Sequence, residues 1–165
     1  MENALQIARE SVIDELIQLV SFCLDHEEYG VDVLKVREII RMLNITRVPN
    51  APAYVDGVIN LRGKVIPIVS LRKKFNLPEA ENDKRTRIMV IESGSEMMGF
   101  IVDEVSEVIR ISAGDIQPPP PVANGAIDVE SMAGVVNQAD RLLVLLDLEK
   151  MCSLDNSLHF DNAVN

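Results

Sequence analysis

An internal repeat constrains the fold of this 165-residue chain more than any other feature of its sequence. At an offset of 77 residues, segment 57–71 overlays segment 134–148, and at an offset of 69 residues, segment 29–41 overlays segment 98–110. Glycine, asparagine and most apolar positions agree in the first overlay, but Arg62 of the first copy is matched by Ala139 in the second. Two similar halves predict a duplicated small fold, and the differences between the halves indicate where function lies.

Short apolar runs rich in valine and isoleucine predict a mostly β chain with short helices at its ends and connections. In each half, two runs flank a polar turn and predict a hairpin. The apolar alternation slips near Leu34 and near Asp103, at equivalent places, which predicts a bulge or sharp bend. Pro67 predicts an edge or bulged strand because proline cannot donate to a ladder. The wholly apolar run 142–146 predicts a buried strand, and residues 72–85 predict a surface connection.

We expect three regions: a helical or flexible lead-in over residues 1–18, the duplicated β domain over 19–152, and a tail over 153–165. The chain contains no apolar run of the roughly 18 residues that span a bilayer, and its beginning lacks the basic start of a signal peptide. We therefore expect a cytoplasmic protein that is not inserted in a membrane. Its two cysteines, Cys23 and Cys152, lie far apart in apolar surroundings and are expected to be reduced.

The charge of the chain is unevenly distributed along the sequence. Residues 35–87 hold 12 of the 16 lysines and arginines and 5 of the 26 acids, giving +7, whereas the remainder carries −17. Such a polarised charge suits binding to charged protein partners, although the charges could also mix on a solvated surface. A small barrel that binds nucleic acid is the alternative, and the net charge of −10 with only 4% aromatic residues opposes it.

The sequence contains no recognisable catalytic, nucleotide-binding or metal-binding motif. His26 lies in a charged turn and His159 in the tail, so neither is placed to serve as a catalytic base. We therefore expect a binding protein without enzymatic activity, metal or cofactor. Arg62 lies between a predicted strand and Gly63, which indicates a tight turn. It is either an ordinary turn arginine or a guanidinium at the rim of a groove, able to bind a carboxylate or backbone oxygen.

Three segments carry a family resemblance: residues 28–39, 57–72 and 99–118 resemble the CheW family of bacterial chemotaxis coupling proteins. The resemblance covers about residues 19–152, in order and with little insertion. It implies two intertwined five-stranded barrels of SH3-like type that share a hydrophobic core. It also implies a non-enzymatic adaptor that links the cytoplasmic tips of methyl-accepting chemotaxis receptors to the regulatory domain of the histidine kinase CheA. Recruitment to membrane-associated receptor arrays and self-association in rings are further implications.

The resemblance implies two sets of site residues. A receptor tip, which is a helical hairpin, is expected in the groove between the two subdomains, with an apolar floor and a charged rim. The matching receptor-binding positions are Val33, Val36, Glu38, Ile39, Gly57, Asn60 and Arg62, with Val105 and Val108 on the opposing side. The kinase-binding positions are Gln117 and Val122. The valines at 33, 36, 105 and 108 would also be apolar in any barrel core, so both interpretations of them stay open.

Overall fold

The computed structural model describes residues 15–119, 131–138 and 140–153, with side chains of the last helix as far as Met151. The described residues contain eleven strands: β1 (Leu16–Leu24), β2 (Glu27–Asp32), β3 (Val36–Arg41), β4 (Val55–Leu61), β5 (Lys64–Ser70), β6 (Arg87–Ser93), β7 (Glu96–Val102), β8 (Glu104–Ser112), β9 (Ile116–Gln117), β10 (Met132–Gln138) and β11 (Arg141–Leu146). Two short helices follow strands: α1 (Leu71–Lys74) and α2 (Leu148–Ser153). The predicted lead-in before residue 15 and the tail after 153 lie outside the described residues.

The strands form two sheets that each combine both halves of the chain. One has the order β8-β1-β2-β11-β10-β9, and the other has the order β3-β6-β7-β5-β4. Hairpin β1–β2 of the first half therefore lies among the late strands of the second half, and hairpin β6–β7 lies among β3, β4 and β5. This arrangement confirms the predicted mostly β fold with two intertwined barrels. The first sheet has six strands rather than five because it includes the two-residue strand β9, which pairs with β10. At the equivalent place, the other sheet has only a single bridge, between Thr46 and Val58.

The chain changes sheets at the two places where the apolar alternation slips. A 3-10 turn at Val33–Lys35 lies between β2 and β3, and a bend at Asp103 lies between β7 and β8. The Asp32 side chain accepts a hydrogen bond of 2.9 Å from the backbone N–H of Leu34, which stabilises the first crossover. The predicted bends are confirmed, and their consequence is that each hairpin belongs to the barrel of the opposite repeat.

Three clusters of apolar side chains form the core, and the repeat relates them. One fills the five-stranded barrel (Ile59, Ile66, Ile68, Ile88, Val90, Ile101), and another fills the six-stranded barrel (Leu19, Ile109, Ile111, Val136, Leu143, Leu145). The third lies between the sheets and includes Phe22, Phe100 and Leu148. Fully burying a side chain of this size stabilises the fold by about 1.5–3 kcal/mol. The shared third cluster therefore makes the two barrels one folding unit.

Pro67 does not lie on an edge strand, because β5 pairs with β4 on one side and with β7 on the other. Of the two predicted alternatives the edge strand was wrong, whereas a register shift does lie beside Pro67, between Val55 and Gly57 of the paired strand β4. Val58, the residue opposite Pro67 in β4, exchanges both of its backbone hydrogen bonds with Thr46 instead. The parallel pairing with β7 begins only at Ile68. Pro67 is therefore tolerated inside the sheet at a position that needs no donor.

Two further expectations about burial were wrong in part. Strand β11 is not buried throughout, because Leu142 is 60% exposed, as is its repeat equivalent Val65 in β5 at 68%. The connection after β5 is not wholly on the surface either. It begins with α1, which buries Leu71, and Phe75 at the end of that helix is buried in the shared core. Phe75, together with Leu71 and the half-buried Leu77, anchors this segment to the shared core despite its high charge.

Candidate functional site

The turn between β4 and β5 presents Arg62 at the tip of a hairpin. Arg62 and Gly63 both have positive φ angles, of 51° and 85°, which suit a two-residue turn of type I′. The side-chain Oδ1 of Asn60 accepts a hydrogen bond of 2.9 Å from the backbone N–H of Gly63 and so closes the turn. The Arg62 side chain is 71% exposed. The predicted tight turn is therefore present, and it displays a guanidinium to solvent.

Arg62 forms a bidentate ion pair with Glu38 on β3, the edge strand at the other end of the five-stranded sheet. The two bonds join Nη1 to Oε1 at 2.5 Å and Nη2 to Oε2 at 2.9 Å. Hydrogen bonding from Arg62 lowers the pKa of the Glu38 carboxyl, and the same bonds raise the pKa of the Arg62 guanidinium. Two charged residues that the resemblance assigns to the receptor site are thus joined directly. Their planar pairing fixes the orientation of both groups at the surface.

The second repeat retains the acid but takes its cation from a different position. Glu107, the equivalent of Glu38, lies 3.4 Å from Nη2 of Arg141, the first residue of β11. Arg141 also donates from Nη1 to Glu28 at 2.9 Å. Ala139, the equivalent of Arg62, lies outside the described residues. The first repeat therefore differs in carrying its cation on the turn itself, where it is more exposed than Arg141.

Gly57 is required by the approach of another chain segment. Its φ angle is 146°, and a Cβ atom at this position would lie 2.1 Å from the backbone oxygen of Thr46. Its repeat equivalent, Gly134, has a φ angle of 158°, and a Cβ there would lie 2.8 Å from the backbone oxygen of Gln117. Both glycines adjoin a register shift in their hairpins. Their recurrence in the sequence therefore has a structural cause in each half.

The apolar candidates fall into two groups that differ in burial. Val33, Val36 and Val105 are half-buried and pack against the shared core. In contrast, Ile39 is 38% exposed and Val108 is 55% exposed. Ile39 and Val108 are equivalent in the repeat, on β3 and β8 respectively. The exposed members of the set are therefore matched across the two barrels, one on an edge strand of each sheet.

The first-repeat candidates lie on the two edge strands of the five-stranded sheet, β3 and β4, and the Glu38–Arg62 ion pair joins these edges. Val36, Glu38 and Ile39 lie on β3, and Gly57 and Asn60 lie on β4 next to the Arg62 turn. Val105 and Val108 lie on β8 of the other sheet.

The kinase-binding candidates occupy a different edge strand. Gln117 lies exposed on β9 at the edge of the six-stranded sheet, where it pairs with Val135. Val122 lies outside the described residues.

Sequence reasoning missed an ion pair that joins the two barrels. Arg72 on α1 donates from Nε to Oδ1 of Asp103 at 2.8 Å and from Nη2 to Oδ2 at 2.5 Å. The backbone N–H of Asp25 donates to Asp103 Oδ2 at 2.9 Å, and Arg72 Nη1 donates to the Pro78 carbonyl at 2.6 Å. Burial opposes the ionisation of Asp103, but these bonds outweigh it and lower its pKa. The only sequence signal for this ion pair was the polar residue Asp103 at the predicted bend.

The second repeat has a similar ion pair with the charges reversed, although its crossover residue, Lys35, is the equivalent of Glu104 rather than of Asp103. Glu149, the equivalent of Arg72, accepts from Nζ of Lys35 at 2.9 Å and from the hydroxyl of Ser93 at 2.8 Å. Hydrogen bonding from Lys35 and then from Ser93 lowers the pKa of Glu149. Each short helix is therefore held to the crossover of the opposite repeat. We refer to Arg72–Asp103 and Lys35–Glu149 as the first and second inter-barrel ion pairs.

The described residues show what kinds of chemistry the surface offers. Within ranges 15–119, 131–138 and 140–153, no group of three or more His, Cys, Asp or Glu side chains is placed to hold a metal ion. In the same ranges, no helix is long and apolar enough to cross a membrane. What the Glu38–Arg62 surface presents is a fixed, solvent-exposed ion pair, while Ile39, the next residue of β3, is exposed on the other face of that strand. Such a combination suits recognition of another protein.

Comparison with known proteins places this chain and its fold in a family context. A family model described as "CheW-like domain" matches residues 18–155. The chemotaxis protein CheW of Treponema pallidum (strain Nichols) is 39% identical over 147 residues, which cover 87% of this chain and 86% of that protein. CheW of Klebsiella aerogenes is 37% identical over 158 residues, which cover 96% and 93%. The crystal structure of the scaffolding protein TtCheW from Thermoanaerobacter tengcongensis has a TM-score of 0.75, 36% identity, and coverage of 81% and 86%.

Proposed function

This chain belongs to the CheW-like family and is a chemotaxis coupling adaptor, and we propose that it links methyl-accepting chemotaxis receptors to the histidine kinase CheA. The family is one of scaffolds, so this role involves binding rather than catalysis. By holding receptor and kinase in one array, the adaptor shifts the populations of active and inactive kinase. The nucleic-acid-binding alternative is not favoured by these similarities.

The receptor side of the proposal rests on the exposed Glu38–Arg62 ion pair. A helical receptor tip would lie along the groove between the barrels, with the pair at its rim and Ile39 in apolar contact. Because Arg62 is 71% exposed, a partner can reach its guanidinium without disturbing the core. Val33, Val36, Val105 and Val108 complete the proposed groove, and Gly57 and Asn60 shape the turn that carries Arg62.

The kinase side of the proposal uses a different edge strand, β9 of the six-stranded sheet. Gln117 on β9, together with Val122, would contact the regulatory domain of CheA. A domain of similar fold on the kinase could then alternate with this chain in rings, and copies of this chain could associate in the same manner. Residues 19–152 are proposed to form the unit that makes both contacts. Recruitment to membrane-associated arrays would follow from binding to the receptors.

The test is co-sedimentation of the full chain with receptor-bearing membranes, with and without CheA. Arg62→Glu is expected to weaken receptor attachment about tenfold, because it turns an attraction at the rim into a repulsion beside Glu38. Arg62→Asn is a sharper variant, since asparagine is favoured at a positive φ angle in a type I′ turn and removes only the cation. We expect it to weaken attachment while thermal unfolding is unchanged.

A matched control is Arg141→Glu, which removes the cation that contacts Glu107 in the other barrel. This variant is expected to retain receptor attachment. If wild-type chain is enriched with neither receptor nor kinase, the adaptor proposal is wrong. If it is enriched but both Arg62 variants attach normally, the adaptor role stands and the receptor site lies elsewhere. A large loss of stability in Arg62→Asn would instead make Arg62 a structural residue.

A further inference from the structure

Two clefts lie between the barrels at positions that the repeat relates, but their chemistry differs. The polar cleft, of about 450 Å³, is lined by charged groups that include Arg72 and Asp103. The apolar cleft, of about 210 Å³, lies beside the second inter-barrel ion pair. At the offsets of the repeat, two polar residues of the first cleft have apolar equivalents in the second, Thr86 in Ile17 and Asp56 in Ala133, while Arg72 corresponds to the acidic Glu149. A shared origin has therefore produced one polar and one apolar cleft.

The floor of the apolar cleft is built from buried side chains of both sheets. It consists of Leu19, Val31, Ile91, Leu145, Leu146 and Leu148. Ile17 and Ile116 are half-buried at its margin. An engineered apolar cavity of about 150 Å³ in another protein binds benzene, so a cleft of about 210 Å³ is large enough for one leucine- or methionine-sized side chain.

The rim of the apolar cleft is acidic. Asp32, Asp147 and Glu149 line it together with one cation, Lys35. Lys35 pairs with Glu149, which leaves the charges of Asp32 and Asp147 without a matching lysine or arginine among the lining residues. Each of these two aspartates accepts a backbone hydrogen bond from the start of a helical turn, at Leu34 and Lys150 respectively. The rim therefore carries a net charge of −2 at fixed positions and attracts a cation.

We propose that the apolar cleft is a docking site for a partner-protein segment that inserts one leucine or methionine side chain and sets a neighbouring lysine or arginine against Asp32 and Asp147. The apolar floor supplies the affinity, and the two carboxylates select a basic flank over an acidic one. None of the lining residues belongs to the proposed receptor or kinase surfaces. The docking site therefore stands or falls independently of the proposed function.

The experiment is a methyl NMR titration of the full chain with two five-residue probes, an acetylated and amidated Gly-Arg-Leu-Arg-Gly peptide and its Gly-Glu-Leu-Glu-Gly counterpart. The basic peptide is expected to shift the methyl signals of Ile17, Leu145 and Leu148 saturably, with an affinity that falls as salt is raised. The acidic peptide is expected to leave them unchanged. Ala133→Leu, which fills the cleft from its rim, should abolish the shifts.

Charge selection is tested with Asp32→Asn/Asp147→Asn, because asparagine keeps a side-chain oxygen for the two helical turns. We expect the basic peptide to bind about three- to tenfold more weakly, the size of two partly exposed ion pairs. The matched control, Glu79→Gln/Glu81→Gln, removes two carboxylates from the polar cleft and should leave binding unchanged.

Several outcomes would overturn the proposal. An equal loss of affinity in the matched control would show that only net charge matters. Saturable shifts confined to methyl groups outside the cleft, or full binding by Ala133→Leu, would place the peptide elsewhere. The absence of saturable shifts with the basic peptide would also overturn it. Nuclear Overhauser contacts in the free protein between the cleft methyl groups and residues 120–130 would overturn the proposal as well, because the chain itself would then fill the cleft.

Discussion

Gly57 combines a positive φ angle with a close backbone neighbour, and either alone disfavours a side chain. Its Cβ atom in Gly57→Ala would lie 2.1 Å from the Thr46 oxygen, so the bridge that closes the five-stranded barrel must shift. We expect a loss of about 2–3 kcal/mol in the free energy of unfolding, measured by urea denaturation. Gly63→Ala is the control, because its φ angle of 85° is also positive but the space around it is open.

Gly63→Ala should lower the free energy of unfolding by only about 1–2 kcal/mol, which is the intrinsic penalty of the left-handed region for a residue with a side chain. Equal losses in the two variants would show that the contact with Thr46 is unimportant. The comparison also bears on receptor binding, for which Gly57 is a candidate. A Gly57 variant that loses attachment through misfolding would not identify Gly57 as a contact residue, whereas Arg62→Asn avoids this ambiguity.

For Arg62, the sequence predicted the turn that carries the residue but not the ion-pair partner of its guanidinium. The turn follows from local chemistry, since a strand pattern ends directly before Arg62 and Gly63. Glu38 lies 24 residues earlier, and the pair forms only because two edge strands meet when the barrel closes. The resemblance assigned both residues to one site without indicating that they bind each other. Likewise, alternation did not show that Val36 packs against the shared core, because that core is built from strands of both barrels.

Among the elements, the crossover between β7 and β8 depends on an ionised Asp103. The Arg72 and Asp103 side chains are only 18% and 29% exposed, and the carboxylate has a lowered pKa despite its burial. A lowered pKa stabilises the fold above the unfolded-state value near 4, and this contribution disappears as pH falls through the lower folded-state value. We therefore expect the free energy of unfolding of wild type to exceed that of Asp103→Asn by about 1–2 kcal/mol at pH 7.

Urea denaturation at several pH values measures this difference. The advantage of wild type over Asp103→Asn should be constant from pH 5 to 7 and should shrink below about pH 4. Asp115→Asn, in the exposed turn Ala113–Asp115, is the control and should show little difference from wild type at any pH. A difference that persists unchanged at pH 2 would mean that Asp103 acts through shape or hydrogen bonding rather than through its charge.

The elements themselves were largely predictable, but their partners were not. Period-two apolar patterns identify strands, and turn residues identify the hairpins β1–β2 and β6–β7. The slip near Leu34 and Asp103 correctly predicted bends. It did not reveal that the chain changes sheets there, because alternation reports which faces are buried and not which strands pair. Pro67 shows the same limit, since its tolerance depends on Thr46 taking the hydrogen bonds of Val58.

For the molecule as a whole, the duplication creates a risk that two copies of the same half pair with each other, and the intertwined strands increase that risk. Each half of the chain holds a hairpin for one barrel and further strands for the other, so two copies of one half could in principle pair with each other. The inter-barrel ion pairs oppose this. In a pair of first halves, Arg72 would face Leu34, the equivalent of Asp103, and would lack its carboxylate. In a pair of second halves, Glu149 would face Glu104, the equivalent of Lys35, and would be repelled.

Cutting the chain between Glu81 and Asn82, in the exposed connection, tests this reasoning directly. We expect neither fragment to unfold cooperatively alone, because each sheet lacks strands, and we expect an equimolar mixture to form a 1:1 complex by native mass spectrometry. Glu149→Arg in the second fragment should lower the yield of that complex and raise its own dimer, since arginine would face Lys35 in the first case and Glu104 in the second. Asp115→Asn in the same fragment, in the exposed turn Ala113–Asp115, is a control away from the ion pair. Stable dimers of either wild-type fragment, at the yield of the mixed complex, would contradict the role given to the reversed charges.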